Sequence, residues 1–324
     1  MAATRAIICQ KSGVHFMEKV TAIVQIILPI ICTVLLGMYA RKKAMFTLDN
    51  VQSLQQFVIK VCLPCLLFQS CVTAEIGAQM LSSMVTPILL LVSTLLGFRL
   101  RRSKYPYHNL PMAFCCKESG MLGIPLFMVL FGADQAYRMG FLDIAQAIVV
   151  YPVMAILSSD AGAEATPKAV VKQMIKSPLI RMSALGLVLN LTGIWDGIQA
   201  AGAGSIILDT FSFLSQPVSV IMLFCVGFNF SLTEDNRNVI FRISAVHFFL
   251  FALLGLVFQA ALFLFPGVDA MTRWAVLLYT FLPASYLTPS LGRSEEDFTV
   301  SSGVCSVLTV VCLIVFCAIA AIAS

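Results

Sequence analysis

The segment 110–131 carries two charged residues, Lys117 and Glu118, in a run that is otherwise apolar or small. A carboxylate in such a run is costly to bury, turns inward, and marks a functional position by default. Burial disfavours the ionised form, which suits a group that carries a proton, and a nearby cation opposes that effect. Glu118 is followed by Ser119-Gly120-Met121-Leu122-Gly123-Ile124-Pro125. Proline lacks an amide hydrogen and crowds the preceding turn, and glycine leaves helical geometry cheaply. A second interrupted segment reads Leu282-Pro283-Ala284-Ser285-Tyr286-Leu287-Thr288-Pro289-Ser290. If both segments break within the bilayer, each exposes unpaired backbone groups, and a half-helix N-terminus there attracts anions. The expected breaks are Gly120–Pro125 and Pro283–Pro289. The substrate-facing candidates are Glu118, Ser119, Gly120, Gly123, Pro125, Pro283, Ser285, Tyr286 and Pro289, with Glu118 as the proton-coupling candidate.

Lys60 lies mid-run, one turn before Pro64. It is placed to attract an anion, to pair with Glu118, or to reach an interface. Lys117 adjoins Glu118, so on a helix the two side chains point about 100° apart, and it is the poorer ligand candidate. Asp143, Gln146, Asn190, Asn229 and His247 are secondary; polar residues of this kind usually join helices by hydrogen bonds.

These residues must be positioned by membrane helices. Of 324 residues 59% are hydrophobic and only 11% charged, against about 25% charged in soluble domains. The runs 20–40, 80–100 and 301–323 are each long enough to cross about 30 Å of hydrocarbon. They lack the period-two alternation of a barrel strand, so helices are the remaining way to satisfy the backbone in lipid. Ten spans can be drawn, at 20–40, 51–71, 80–100, 110–131, 137–158, 174–194, 206–228, 241–265, 271–292 and 298–322. The loops and span ends on one side then hold 14 Lys and Arg and those on the other side five. Basic excess marks the cytoplasm, so both termini are expected outside. Residues 159–173 read as a cytoplasmic linker dividing the spans five and five. An odd number per half inserts the halves in opposite orientation, the arithmetic of an inverted repeat covering 18–158 and 174–324. Residues 1–17 read as a disordered tail, or as chain ahead of a natural start at Met17.

The motifs carry a resemblance. Gly120-Met121-Leu122-Gly123-Ile124-Pro125-Leu126 followed by Phe131-Gly132 resembles the fourth-span motif of the auxin efflux carrier superfamily, which includes prokaryotic malonate-type carriers and the plant PIN proteins. Leu28-Pro29-Ile30 with Leu36-Gly37 and Arg41-Lys42 is similar to its first span. The stretch 57–68 is similar to its second, and Leu282-Pro283-Ala284-Ser285 to its ninth. The resemblance implies an all-helical membrane protein of ten spans in two inverted five-helix repeats. It further implies crossing broken helices, elevator-like movement and a homodimer. One departure stands out: the family commonly has Gly-Asn where this chain has Lys117-Glu118.

Other classes find little support. Most of the 11 cysteines lie in apolar runs, where cysteine acts as a small hydrophobe. Cys62 and Cys65 have CxxC spacing but no second pair, so no metal site and no cofactor is expected. An intramembrane serine protease would want a GxSG-like nucleophile with a histidine base, a zinc protease HExxH, and prenyl transfer paired aspartate motifs. None is found. A receptor would normally bring a soluble output domain, and no loop is long enough to fold as one. The net charge of +5 resides in the basic loops and needs no nucleic acid. The expected partners are a small organic anion and the lipid bilayer of a plasma membrane, and the expected activity is secondary transport.

Overall fold

A computed structural model describes residues 24–25, 28–74, 83, 86–158, 175–230, 236–264 and 267–323. The expected N-terminal tail and the 159–173 linker lie outside the described residues. The described chain is helical: α1 (28–42), α2 (Leu48–Val72), α3 (Thr86–Ser103), α4 (Leu110–Cys115), α5 (Ser119–Phe131) and α6 (Ala136–Ser158), then α7 (Pro178–Leu191), α8 (Ile194–Ala200), α9 (Ala203–Asn229), α10 (Arg237–Leu264), α11 (Ala270–Phe281) and α12 (Glu295–Ala323). Among the described residues the only extended pairing is one isolated bridge, Lys117 to Ala284. Four helices, α2, α9, α10 and α12, are long and apolar enough to cross a membrane. A fifth span arises if α7 and α8, bent by 82°, are taken together.

The proline signals are absorbed locally. Pro64 removes one helical donor, and the turn before it, Val58–Cys62, widens to a π-helical turn without ending α2. Such π turns are a common way for a helix to accommodate an inserted irregularity. Pro217 sits at the junction of two helical segments within α9, where its missing donor matters least.

Two seams hold the helices together at backbone distance. A Cβ on Gly37 of α1 would lie 2.1 Å from the Phe224 carbonyl oxygen and 2.7 Å from the Phe228 nitrogen on α9. A Cβ on Gly186 of α7 would lie 2.7 Å from the Phe68 carbonyl oxygen and 3.3 Å from the Val72 nitrogen on α2. In each seam one glycine meets the carbonyl of residue i and the amide of residue i+4 on the facing helix. Small residues at such crossings let backbones approach and gain packing that lipid cannot supply. Arg41 closes the first seam, its Nη1 donating to the carbonyls of Phe228 and Phe230 at 3.1 and 2.9 Å.

At the start of α11 Asp269 accepts from the Thr272 amide at 3.0 Å and from Arg138 Nη1 of α6 at 2.7 Å. Partial burial alone would raise the Asp269 carboxyl. The Thr272 hydrogen bonds and the Arg138 guanidinium outweigh it and hold the group below its usual range.

Two outcomes test this packing. Gly227→Ala would place its Cβ 1.9 Å from the Val34 carbonyl oxygen, an overpacking that backbone shift must relieve at about 1–3 kcal/mol. A clear drop in thermal unfolding temperature of the detergent-solubilised protein is expected, and an unchanged value would contradict the seam. A depressed native carboxyl contributes stability above its unfolded value of about 3.9 and loses it as pH falls through the native value. Asp269→Asn should therefore flatten the part of the stability–pH curve below about pH 4, measured by thermal unfolding, while the parent keeps its slope.

Candidate functional site

The two interrupted segments meet. α4 stops at Cys115, Cys116 is extended, and α5 starts at Ser119. α11 stops at Phe281 and the chain runs extended through Leu282. Each open stretch satisfies the other: the Glu118 amide donates to the Pro283 carbonyl and the Ser285 amide to the Cys116 carbonyl, both at 3.0 Å. Backbone away from water needs such partners, and at membrane depth only protein can provide them.

The first break therefore falls at residues 116–118, ahead of the expected Gly120–Pro125. Ser119–Gly123 is a π-helical turn that runs directly into the α-helical part of α5. Pro125 lies in the first turn of that part, where a missing amide is tolerated. After the second break the chain forms a short 3-10 turn, Pro289–Leu291, and no outgoing half-helix. Pro289 opens that turn, next to Thr288, whose carbonyl accepts from Asn109.

Glu118 is 6% exposed. Its carboxylate accepts from the Tyr286 amide at 2.6 Å, the Ser285 hydroxyl at 3.1 Å and the Met121 amide at 3.4 Å. Two of these donors are backbone groups left free by the breaks, so the side chain occupies a small anion-binding concavity. Gly120 borders open space, with no atom within 4 Å of where a Cβ would be. Gly123 is packed against Leu282, whose methyl would lie 2.7 Å from an added Cβ.

Lys117, the poorer ligand candidate in the sequence, has a structural part at the break. It sits on extended chain, where successive side chains point to opposite faces, so the helical spacing expected for the pair does not apply. Its Nζ donates to the carbonyls of Thr280 and Leu282 at 3.1 and 3.0 Å, lies 3.4 Å from His247 Nε2 and sits over the Phe251 ring at 3.3 Å. An ammonium here caps the C-terminal end of α11, where the helix dipole favours positive charge. Lys117 and Glu118 thus hold the two sides of the second break.

A third layer comes from α6. Gln146 Oε1 accepts from the Lys117 amide and the Tyr279 hydroxyl, both at 3.0 Å. Its Nε2 faces the Ser119 hydroxyl, Asp143 Oδ1 and the Lys117 carbonyl at 2.6, 2.7 and 3.2 Å. Ser119 donates in turn to Asp143. Asp143, Gln146 and His247, secondary in the sequence reading, therefore belong to the hydrogen-bond network around the breaks. Asn190 is not; it donates to the Cys71 and Ala74 carbonyls on the α2 side. Lys60 is exposed on the π turn of α2. Among the described residues neither Lys60 nor Lys117 forms an ion pair with Glu118. Tyr279 escaped the sequence reading, because a lone tyrosine in an apolar helix resembles a packing residue. No group of three or more His, Cys, Asp or Glu side chains among the described residues is arranged to hold a metal ion.

Apolar helices of this length, joined through two broken segments with a buried polar network between them, define an all-helical, multi-pass membrane protein. Residues 22–317 match the family model described as membrane transport protein, and the chain belongs to that family, the auxin efflux carriers. It is also similar to an uncharacterized transporter of Methanothermobacter thermautotrophicus, at 25% identity over 185 residues. That match covers 55% of this chain and 61% of the relative's length.

Lys117→Met keeps the apolar stem and removes the ammonium, leaving the Thr280 and Leu282 carbonyls without their donor. A hydrogen bond to a charged group contributes about 1.5–3 kcal/mol, so a loss of that order in the stability of the solubilised protein is expected. A Lys117→Met protein as stable as its parent would show that the cap contributes nothing.

Proposed function

We propose that this protein is a secondary carrier for a small organic anion, a mono- or dicarboxylate, working by alternating access in a plasma membrane. The observation that carries the reading is the junction itself. Two breaks share their backbone bonds, a carboxylate occupies the donors they free, and Gly120, two residues further on, borders open space. Membership of a membrane transport family gives the class of activity; the donors at the site support an anionic cargo. Donors that hold the Glu118 carboxylate are equally suited to a substrate carboxylate.

The same reading takes the chain as ten spans in two inverted five-helix repeats, with both termini outside and 159–173 in the cytoplasm. The basic-residue asymmetry supports it. So do the matched seams, in which Gly37 meets Phe224 and Gly186 meets Phe68 in the same way. First helix of one half against second helix of the other, twice over, is the pattern an inverted repeat produces. In this reading α1, α2, α7 and α9 form a frame, usable as a homodimer scaffold. The paired breaks with α6 then form the element that moves as an elevator.

Glu118 supplies proton coupling. Ionised, it holds the Tyr286, Ser285 and Met121 donors and repels an arriving anion, by about 4 kcal/mol for unit charges at about 4 Å in an effective dielectric of about 20. Protonated, it releases its claim on those donors and offers a hydrogen bond of its own. Proton and anion then favour each other's binding, and the linkage is reciprocal. Lys117 does not cancel the effect, because its ammonium is turned to the α11 end.

Uptake into proteoliposomes, with a panel of mono- and dicarboxylates and an imposed pH gradient, tests the proposal. The Glu118→Gln protein, a mimic of the protonated form, should still exchange substrate but lose pH dependence and gradient-driven accumulation. Accumulation with the parent's pH profile would remove Glu118 from coupling, and absence of flux for every carboxylate would remove the anion reading.

A further inference from the structure

Among the described residues the ammonium of Lys117 is enclosed by neutral groups. The residue is 2% exposed. Its Nζ has three acceptors in reach: the Thr280 carbonyl at 3.1 Å, the Leu282 carbonyl at 3.0 Å and His247 Nε2 at 3.4 Å. His247 Nε2 accepts when the ring carries its proton on the other nitrogen. The face of the Phe251 ring closes a fourth side, with its centroid 3.3 Å from Nζ. Three acceptors match the three N–H bonds of an ammonium; a neutral amine would leave one of them unserved. Among the described residues the ion pair found joins Arg138 to Asp269, and no carboxylate pairs with Lys117.

The carbonyls are available because of the second break. α11 stops at Phe281, so the carbonyls of its last turn lack helical partners. Pro283, which follows, has no amide to offer them. A helix end of this kind, with unwound carbonyls beyond it, is where many carriers hold a monovalent cation. Carbonyl oxygens replace the water around such an ion, and an aromatic face adds attraction. With no carboxylate in the set, a single positive charge suits it better than a double one. Here that charge arrives on a side chain. Lys117 belongs to the first break, and its stem reaches from there to the end of α11. The chain therefore brings its own cation, which enters from neither side of the membrane.

We propose that the carbonyl end of α11, with His247 and Phe251, is a monovalent-cation site filled by the Lys117 ammonium, which frees the crossing from any need for dissolved Na+ or K+. The proposal rests on the geometry of the crossing and not on the identity of the cargo. A filled site has two consequences that a simple helix cap lacks. The parent gains nothing from added alkali cation. Shortening the side chain opens the site to a free cation, whereas an uncharged side chain of similar length keeps it closed.

Thermal unfolding of the solubilised protein in NaCl, KCl, methylammonium chloride and choline chloride, at equal ionic strength, tests both. The parent should unfold at one temperature in all four salts. Lys117→Met fills the space without a charge and should unfold at a lower temperature, again common to all four. Lys117→Ala leaves the acceptors in place and room beside them. In choline it should unfold below the parent, and methylammonium should restore about half or more of that loss saturably, since a ligand that binds only the native state stabilises it. A Lys117→Ala protein that responds no more than Lys117→Met overturns the proposal. So does a parent whose unfolding temperature rises saturably in Na+ or K+ over choline. If Lys117→Ala cannot be purified in choline, recovery of folded protein in methylammonium supports the proposal, and equal loss in both salts counts against it. None of these readouts uses a substrate, so their failure is distinct from failure of the carboxylate reading.

Discussion

A helix broken inside lipid leaves amides and carbonyls that no solvent can reach, and the architecture around residues 116–118 and 282–286 follows from that constraint. The solution is reciprocal. The Glu118 amide goes to Pro283, the Ser285 amide to Cys116, and the flanking side chains of Lys117 and Glu118 take up what remains on either side. Neither amide has a partner within its own segment. The two breaks are therefore stable only together, which ties α4 and α5 to α11 more tightly than apolar packing alone would. Gln146 and Tyr279 extend the arrangement to α6, so that three helical elements share one continuous hydrogen-bond network.

Much of this was legible in the residues. Glycine and proline in 110–131 and 282–292 mark where a helix cannot run uninterrupted, and Glu118 marks the polar centre. Family motifs spread from Leu28 to Ser285 agree with a family match over 22–317. What the sequence could not supply is the pairing. Composition shows that a segment lacks donors, not which neighbour will provide them. The position of the first break illustrates the point. Two glycines and a proline pointed to 120–125, yet proline in a first turn and a π turn at Ser119–Gly123 keep that stretch helical. The interruption moved to Cys116–Glu118, where the facing chain at Pro283–Ser285 offered partners.

The lysines show the same limit from the other direction. Lys60 and Lys117 are both embedded in apolar runs, and depth along a helix made Lys60 the better candidate. Depth carries no information about which face a side chain takes. Lys60 lies on an exposed face of α2, while extended chain at Lys117 throws its ammonium onto the end of α11. A helical projection does not apply to Lys117, which is not helical. Gln146 and His247 became informative only when their distances to Lys117 were known.

The bridge between Lys117 and Ala284 is made by main-chain atoms, and this bears on how such a protein diversifies. Any amino acid but proline can supply the amide and carbonyl at position 117 or 118. The scaffold of the crossing is thus written in a part of the chain that point mutation barely touches. Replacing the side chains at those two positions removes the contacts of Lys117 and Glu118 with the second break but leaves the main-chain bonds in place. The backbone of the crossing and the side chains it carries can therefore change independently.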